Sequence, residues 1–261
     1  MDPRTLDGLI AGAEAAADVA GAVIRPFFRA GLAAAFKVDQ SPVTIADRAA
    51  EQAMRALLTE RFPDHGVLGE EFGHDRPDAD YYWVLDPIDG TRAFITGRPV
   101  FGTLIGLMHG ATPILGIIDQ PVTGERWIGA ARRRTIFRGP FGGQVGCRPC
   151  PAMDHAELSL TSPQLLGPET ARWEKLAGKV RRVSYGGDCY AYGLLALGQI
   201  DIIAERELKI WDWAALVPVI EGAGGRITDW QGRPLHPDNA GEALAVGDPA
   251  RLNEAVSLLA V

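Results

Sequence analysis

Leu6, Leu9, Ile10, Ala13, Ala17, Ala20, Ile24 and Phe27 recur at three- and four-residue intervals. That spacing predicts an amphipathic helix over 5–30, with Pro26 distorting its last turn and Gly31 ending it. Phe36-Lys37-Val38 reads as a short extended piece. After Ser41-Pro42-Val43-Thr44 a second helix is predicted, with Ala46, Ala49, Ala50, Ala53, Leu57 and Leu58 inward and Phe62-Pro63 as its stop. From 66 to 139 the apolar runs shorten to strand length. Strands are predicted at 66–69, 81–85, 101–109, 113–118, 127–130 and 135–137, bounded by Gly, Pro or Asp. Strand runs after helix runs imply a layered mixed fold with a largely antiparallel sheet.

Residues 139–157 carry Gly139, Pro140, Gly142, Gly143, Gly146, Pro149 and Pro151, which marks a join. The chain divides there into an N-terminal α+β half, 1–140, and a C-terminal α/β half, 141–261. In the second half strands (158–161, 180–184, 200–204) alternate with helices (170–178, 189–197, 214–223), as in an α/β unit.

Composition narrows the functional classes. Hydrophobic residues make up 47% of the 261 and charged residues 23%, which excludes a disordered chain. The net charge of −7 argues against nucleic acid as a partner and suits a protein that gathers cations. No apolar run approaches the ~20 residues of a membrane span, so no membrane role is expected. Three cysteines and an N-terminus without a signal-peptide pattern suggest a reduced, cytoplasmic setting.

The candidate chemistry is acidic. Glu70 and Glu71 follow a short strand and a glycine; Asp86 and Asp89 follow the strand Tyr82-Trp83-Val84-Leu85. Asp212 opens a predicted helix in Lys209-Ile210-Trp211-Asp212-Trp213, and Asp47 falls in the first turn of the second helix. Such acids repel one another unless a cation sits between them. Oxygen ligands without histidine suit hard ions such as Mg²⁺ or Mn²⁺. The corner Asp86-Pro87-Ile88-Asp89 can aim both carboxylates and the Ile88 carbonyl at one place. Gly90 adds no side-chain bulk, Thr91 adds a hydroxyl, and free N–H groups there would attract a phosphate. Together these suggest metal-assisted hydrolysis of a phosphate ester. Structural alternatives exist: Thr44 and Asp47 have the spacing of a capping box, and Asp212 and Asp188 are each good helix caps.

Gly69-Glu70-Glu71, Trp83-Val84-Leu85-Asp86-Pro87-Ile88-Asp89-Gly90-Thr91, and Trp211-Asp212 followed by Glu221-Gly222-Ala223-Gly224-Gly225 resemble the inositol monophosphatase family. The resemblance spans 37–248. It implies an α/β (α+β) fold, a five-layered α-β-α-β-α sandwich, and Mg²⁺-dependent, lithium-sensitive phosphomonoester hydrolysis by a homodimer. It implies two or three Mg²⁺ per site, with Mn²⁺ as an alternative. Glu70, Asp86 and the Ile88 carbonyl would bind one ion; Asp86, Asp89 and Asp212 a second; a third would sit near Glu70. Gly90 and Thr91 would cradle the phosphate, with Lys37 and Arg92 as nearby positive charges. Asp47 and Thr91 would hydrogen-bond and, with Glu70, act on the attacking water.

Within the family, Arg92 to Leu107, Gly187-Asp188-Cys189-Tyr190-Ala191-Tyr192 and Leu216-Val217-Pro218-Val219 resemble the histidinol-phosphate phosphatases of this type. Ile210-Trp211 before Asp212 departs from that branch; Trp there recurs in general inositol monophosphatases. Histidinol phosphate carries an ammonium and an imidazole, so its pocket should offer acids. Asp188 and Glu205 are the candidates, with Glu207 the surface acid of its pair and Ser162 on the substrate side. An inositol or small sugar phosphatase, a nucleotide-bisphosphate phosphatase and a non-catalytic metal binder are the alternatives. Cys147-Arg148-Pro149-Cys150 reads as loop, Cys189 as buried, Arg132-Arg133-Arg134 as a solvated turn, and 73–80 as a mobile loop.

Overall fold

The computed structural model of the chain describes residues 3–30, 42–239 and 241–260. Lys37 and the expected extended piece around it lie outside them, as does Gly31. The first layer is α1 (Pro3–Ile24) and α2 (Pro42–Arg61). Leu6, Leu9, Ala13, Ala17, Ala20 and Ile24 form the buried stripe that their spacing requires. α1 is shorter than expected: Pro26 lies in a separate 3₁₀ turn, Arg25–Phe27, because proline has no N–H to continue the α-helical ladder. α2 begins at Pro42, a residue suited to the first helical position. Thr44 is therefore inside the helix and Asp47 in its second turn, which removes the capping-box reading.

The strands β1 (Gly66–Gly69), β2 (Gly73–Asp75) and β3 (Tyr81–Asp89) follow, and then the short helix α3 (Thr91–Ile95). β4 (Gly102–His109), β5 (Thr112–Gln120), β6 (Glu125–Ala130) and β7 (Ile136–Arg138) complete the first half. Among the described residues these strands form one sheet in the order β2-β1-β3-β4-β5-β6-β7. β1 and β3 are parallel and the other neighbours antiparallel. The segment expected as an irregular loop thus opens with a strand, because β2 pairs with β1.

The second half runs β8 (Glu157–Leu160), α4 (Thr170–Ala177), β9 (Arg182–Tyr185), α5 (Asp188–Ala196) and β10 (Ile202–Glu205). It continues with α6 (Ile210–Trp213), α7 (Leu216–Gly222), β11 (Arg226–Thr228), β12 (Ala243–Val246) and α8 (Leu252–Leu259). Its sheet has the order β11-β12-β10-β8-β9. β10, β8 and β9 are parallel, as helical crossovers dictate, whereas β12 is antiparallel to both of its neighbours. The helix expected over 214–223, with Asp212 at its opening, is two: α6 ends at Trp213 and α7 covers Leu216–Gly222.

Three cores separate five layers. One lies between α1–α2 and the first sheet, with Trp83, Leu85, Ile105 and Ile117. The second packs α5, α6 and α7 between the two sheets, with Val84, Leu104, Trp127, Ile203 and Ala245. The third lies beneath α4 and α8, with Leu158, Leu160, Trp173 and Leu244. The α-β-α-β-α order is the one the family resemblance implied. No described helix is long and apolar enough to cross a membrane.

One row of glycines sets the middle layer. Gly106, Gly116 and Gly129 stand side by side in register on β4, β5 and β6. The backbone of Ala214 to Val219 lies directly on that row; a Cβ at Gly116 or Gly129 would overlap it. Helices normally sit about 10 Å from a sheet on their side chains. Here the main chain is drawn closer, and Asp212, just before this stretch, is brought down to the end of β3.

Candidate active site

Strand alternation puts Val84 in the core shared with the middle helices, so Asp86, two residues on, faces the same way. The ladder between β3 and β4 then slips between Asp86 and Asp89. Pro87 has no N–H to pair, and its carbonyl accepts the buried Thr103 hydroxyl at 2.8 Å. The Ile88 N–H turns back to Asp86 Oδ1 at 3.1 Å. This bulge lets Asp89 reach the same space as Asp86. The Cys189 N–H, in the first turn of α5, donates to Asp89 Oδ2 at 2.7 Å. Asp212 is the third residue of α6, not its cap, and accepts the Lys209 N–H at 2.6 Å. One carboxylate oxygen from each of Asp86, Asp89 and Asp212 lies within 4.8 Å of the others.

The electrostatics follow from crowding. Burial, and then Asp89, Asp212, Glu70 and Asp47, hold the Asp86 carboxyl well above its usual range. Burial and Asp212 do the same to Asp89. Asp212 is pushed up to about 6 by burial, against the opposing Lys209 N–H. Glu70, just past β1, is pushed up to about 7 by burial, Asp212, Glu71 and Glu51. Asp47, reaching from α2, is pushed up to about 8 by burial and then Glu70, Glu71 and Glu51. Its Oδ1 is buried without a hydrogen-bond partner. An orphaned carboxylate oxygen beside crowded acids is the donor set that a hard divalent cation completes. Of the expected ligands, Asp86, Asp89 and Asp212 form the trio that suits a hard cation, while Glu70 lies outside that trio and is linked to it by charge.

Gly90 has φ 86° and caps α3. The first N–H groups of α3 have no acceptor within the helix. The Thr91 hydroxyl reaches the Ile88 carbonyl at 3.4 Å, where a bond to Asp47 was expected. Asp188 lies against Gly90, and a Cβ there would stand 2.9 Å from the Asp188 side chain. Asp188 has φ 44° and makes no capping bond at α5, so its alternative role as a cap is not seen. Burial raises its carboxyl, against the opposing charges of Arg98 and Arg92. The Arg98 guanidinium also braces this turn through the Gly186 carbonyl at 2.8 Å.

A cavity of about 220 Å³ opens from Asp89 and Asp212 and is lined by Thr161, Asp188, Tyr192, Glu205 and Glu207 among others. Glu205 is buried and accepts from the Thr161 N–H (2.8 Å), the Thr161 hydroxyl (2.6 Å) and the Tyr192 hydroxyl (3.1 Å). Glu207 is exposed, at φ 66°. Ser162 does not line the cavity; its hydroxyl turns to Gln164 and Thr161 holds the wall instead. The sequence assigns no role to Thr161, and Tyr192 stands there only within the Gly187–Tyr192 run, with no role of its own. Arg92 is exposed on α3. Cys147, Cys150 and Cys189 are free thiols, Cys189 buried beside Asp89. Away from the site, Arg133 and Arg134 reach Asp7 and the Val145 carbonyl.

Known proteins share this architecture. The inositol monophosphatase family profile matches residues 5–258. "Bifunctional phosphatase IMPL2, chloroplastic" of Arabidopsis thaliana is 49% identical over 94% of this chain and 71% of its own. A histidinol-phosphatase of Mycobacterium tuberculosis is 38% identical over 75% of this chain and 77% of its own. The solved structure of an inositol monophosphatase from Zymomonas mobilis superposes with a TM-score of 0.91 at 50% identity, covering 99% of each chain. With its acid cluster at the end of β3 and a family match over nearly its whole length, the chain belongs to the inositol monophosphatase family and is a phosphoric monoester hydrolase.

Proposed function

We propose that the protein is a Mg²⁺-dependent phosphatase that converts histidinol phosphate to histidinol and phosphate. The observation that carries the substrate is the set of acids lining the cavity: Asp188 against Gly90, with Glu205 and the exposed Glu207. A substrate with an ammonium and an imidazole finds charge partners there. The histidinol-phosphatases of Mycobacterium tuberculosis and Chlorobaculum parvum, 38% and 34% identical, support the same reading.

Glu70, Asp86, Asp89, Asp212 and the Ile88 carbonyl would hold the ions. When bound, these supply charge for the phosphate and lower the pKa of the attacking water. The first N–H groups of α3 at Thr91 and Arg92 bind phosphate oxygens, and Gly90 makes the turn that aims them. Asp47 or Glu70 would take the proton released by the attacking water, and the Thr91 hydroxyl would hydrogen-bond that water. The reading includes two or three Mg²⁺, replaceable by Mn²⁺, lithium inhibition, and a cytoplasmic homodimer. An inositol or polyol phosphatase is the second reading, favoured by the 50% identity to the Zymomonas mobilis inositol monophosphatase.

Asp188→Asn discriminates between them. A charge-assisted hydrogen bond is worth about 1.5–3 kcal/mol, or roughly 10–100-fold. The variant should lose that factor in kcat/KM for histidinol phosphate and much less for inositol 1-phosphate. Equal losses on both substrates would remove Asp188 as the partner of the substrate's cation.

A further inference from the structure

Asp47, Glu51 and Arg55 stand four residues apart on the inward face of α2. Asp47 faces the metal acids, whereas Glu51 and Arg55 face the chain that carries Glu70. Glu51 is fully buried; its Oε2 accepts the Glu71 N–H at 2.8 Å and its Oε1 the Phe72 N–H at 3.2 Å. Arg55 Nε donates to Glu51 Oε1 at 2.7 Å. The rest of its guanidinium donates to Asp75 Oδ2 (2.8 Å), the Gly73 carbonyl and the Val67 carbonyl (3.4 Å). One ion pair thus fastens β1, the turn after it and β2. Arg48 adds an outer contact to Glu71 Oε2 at 3.2 Å and lies over the Phe72 ring.

Gly69 belongs to the same device, since a Cβ there would overlap the Glu51 carboxylate. The Gly-Glu-Glu sequence is then read physically: the glycine makes room for Glu51, which holds the two N–H groups that follow Glu70. A buried carboxylate binding two consecutive amides and an arginine is well satisfied. It also fixes the backbone direction at Glu70 before any ion arrives.

The geometry points to Glu51 and Arg55 as positioning residues that preset Glu70 for its metal from the helix that carries Asp47. This rests on the metal-dependent reading above. Outer partners that orient a ligand typically change metal affinity 10–100-fold when removed.

The test uses the full chain stripped of metal, as wild type, Glu51→Gln and Arg55→Lys. Glu51→Gln keeps the shape but loses the charge and one of its acceptors; Arg55→Lys keeps the charge but loses the fork. Mn²⁺ binding is followed by its electron paramagnetic resonance signal, without substrate, and amide hydrogen exchange is followed at Glu71 and Phe72. Expected are faster exchange at both amides in Glu51→Gln and a Mn²⁺ midpoint at least tenfold higher in each variant. At saturating Mg²⁺ kcat should return to within about threefold of wild type. A melting temperature that drops while the Mn²⁺ midpoint stays within twofold would make the pair merely structural and overturn the inference. Wild type that binds no Mn²⁺ would instead defeat the metal reading of the site.

Discussion

Replacing Asp86 with asparagine should abolish turnover and, in the metal-free protein, raise the melting temperature. Both halves come from one geometry. Asp86 is buried, with Asp89 and Asp212 carboxylate oxygens within 4.8 Å of its own and Glu70 and Asp47 adding to the repulsion. Its carboxylate is useful only with a cation present. Asparagine keeps the oxygen that accepts the Ile88 N–H, so the bulge survives. It removes the group whose ionisation burial and its neighbours oppose, and with it a share of their repulsion. The activity loss should reach about 10³-fold or more, roughly 4 kcal/mol of transition-state stabilisation. The melting temperature should rise rather than fall. Activity that survives would remove Asp86 from the metal site. A lower melting temperature would mean that the carboxylate is satisfied by the protein alone.

The second expectation concerns pH. Asp212, Glu70 and Asp47 are raised to about 6, 7 and 8 in the folded chain, each chiefly by burial. In the unfolded chain such groups titrate near 4. A carboxyl raised on folding stabilises the fold at low pH and loses that contribution as pH climbs through its folded value, because the unfolded chain releases the proton first. The metal-free protein should therefore lose stability from about pH 4 to pH 8. Each group in its transition costs up to about 1.4 kcal/mol per pH unit, so over three groups the melting temperature should fall by about 10 °C or more. Mg²⁺ should cancel most of the fall, and its own stabilising effect should grow with pH. Thermal melts at pH 5.5, 7 and 8.5, with chelator and with Mg²⁺, measure this. A chelated protein whose stability is flat or rises over that range would show that the acids are not strained by one another.

Much of this site was legible in the sequence because it is local. Asp86, Pro87, Ile88, Asp89 and Gly90 are contiguous, and a proline and a glycine within five residues fix a corner whatever surrounds it. The five layers were legible only through resemblance. Alternation and helical spacing find elements, but α6 and α7 merged into one because nothing in their apolar run marks the break at Ala214 and Ala215. β11 and β12 were not read at all. β11 is only three residues, and four-residue β12 is buried throughout, which leaves no alternation to see.

Contacts across the fold were the hardest to read. Thr161 and Tyr192 meet Glu205 over 44 and 13 residues of chain. The family resemblance puts Ser162 on the wall, one residue from the lining residue Thr161, and a one-residue step along an extended chain reverses the side that a side chain faces. Glu51 and Arg55 did leave a signal. They fall on the same helical face as Asp47, Ala50 and Leu58, where charges are unexpected without partners. Charged residues on a buried stripe, four apart and in line with Asp47, are a signal of the same kind as the acid motif.

The most direct measurement is phosphate release from histidinol phosphate and inositol 1-phosphate, side by side, by the chelated protein before and after Mg²⁺ is restored. Release should need the divalent ion for both esters, with kcat/KM at least about tenfold higher for histidinol phosphate. Release that persists in chelator would contradict the metal site. Metal-dependent release with equal or greater efficiency on inositol 1-phosphate would leave the site standing and contradict the assigned substrate.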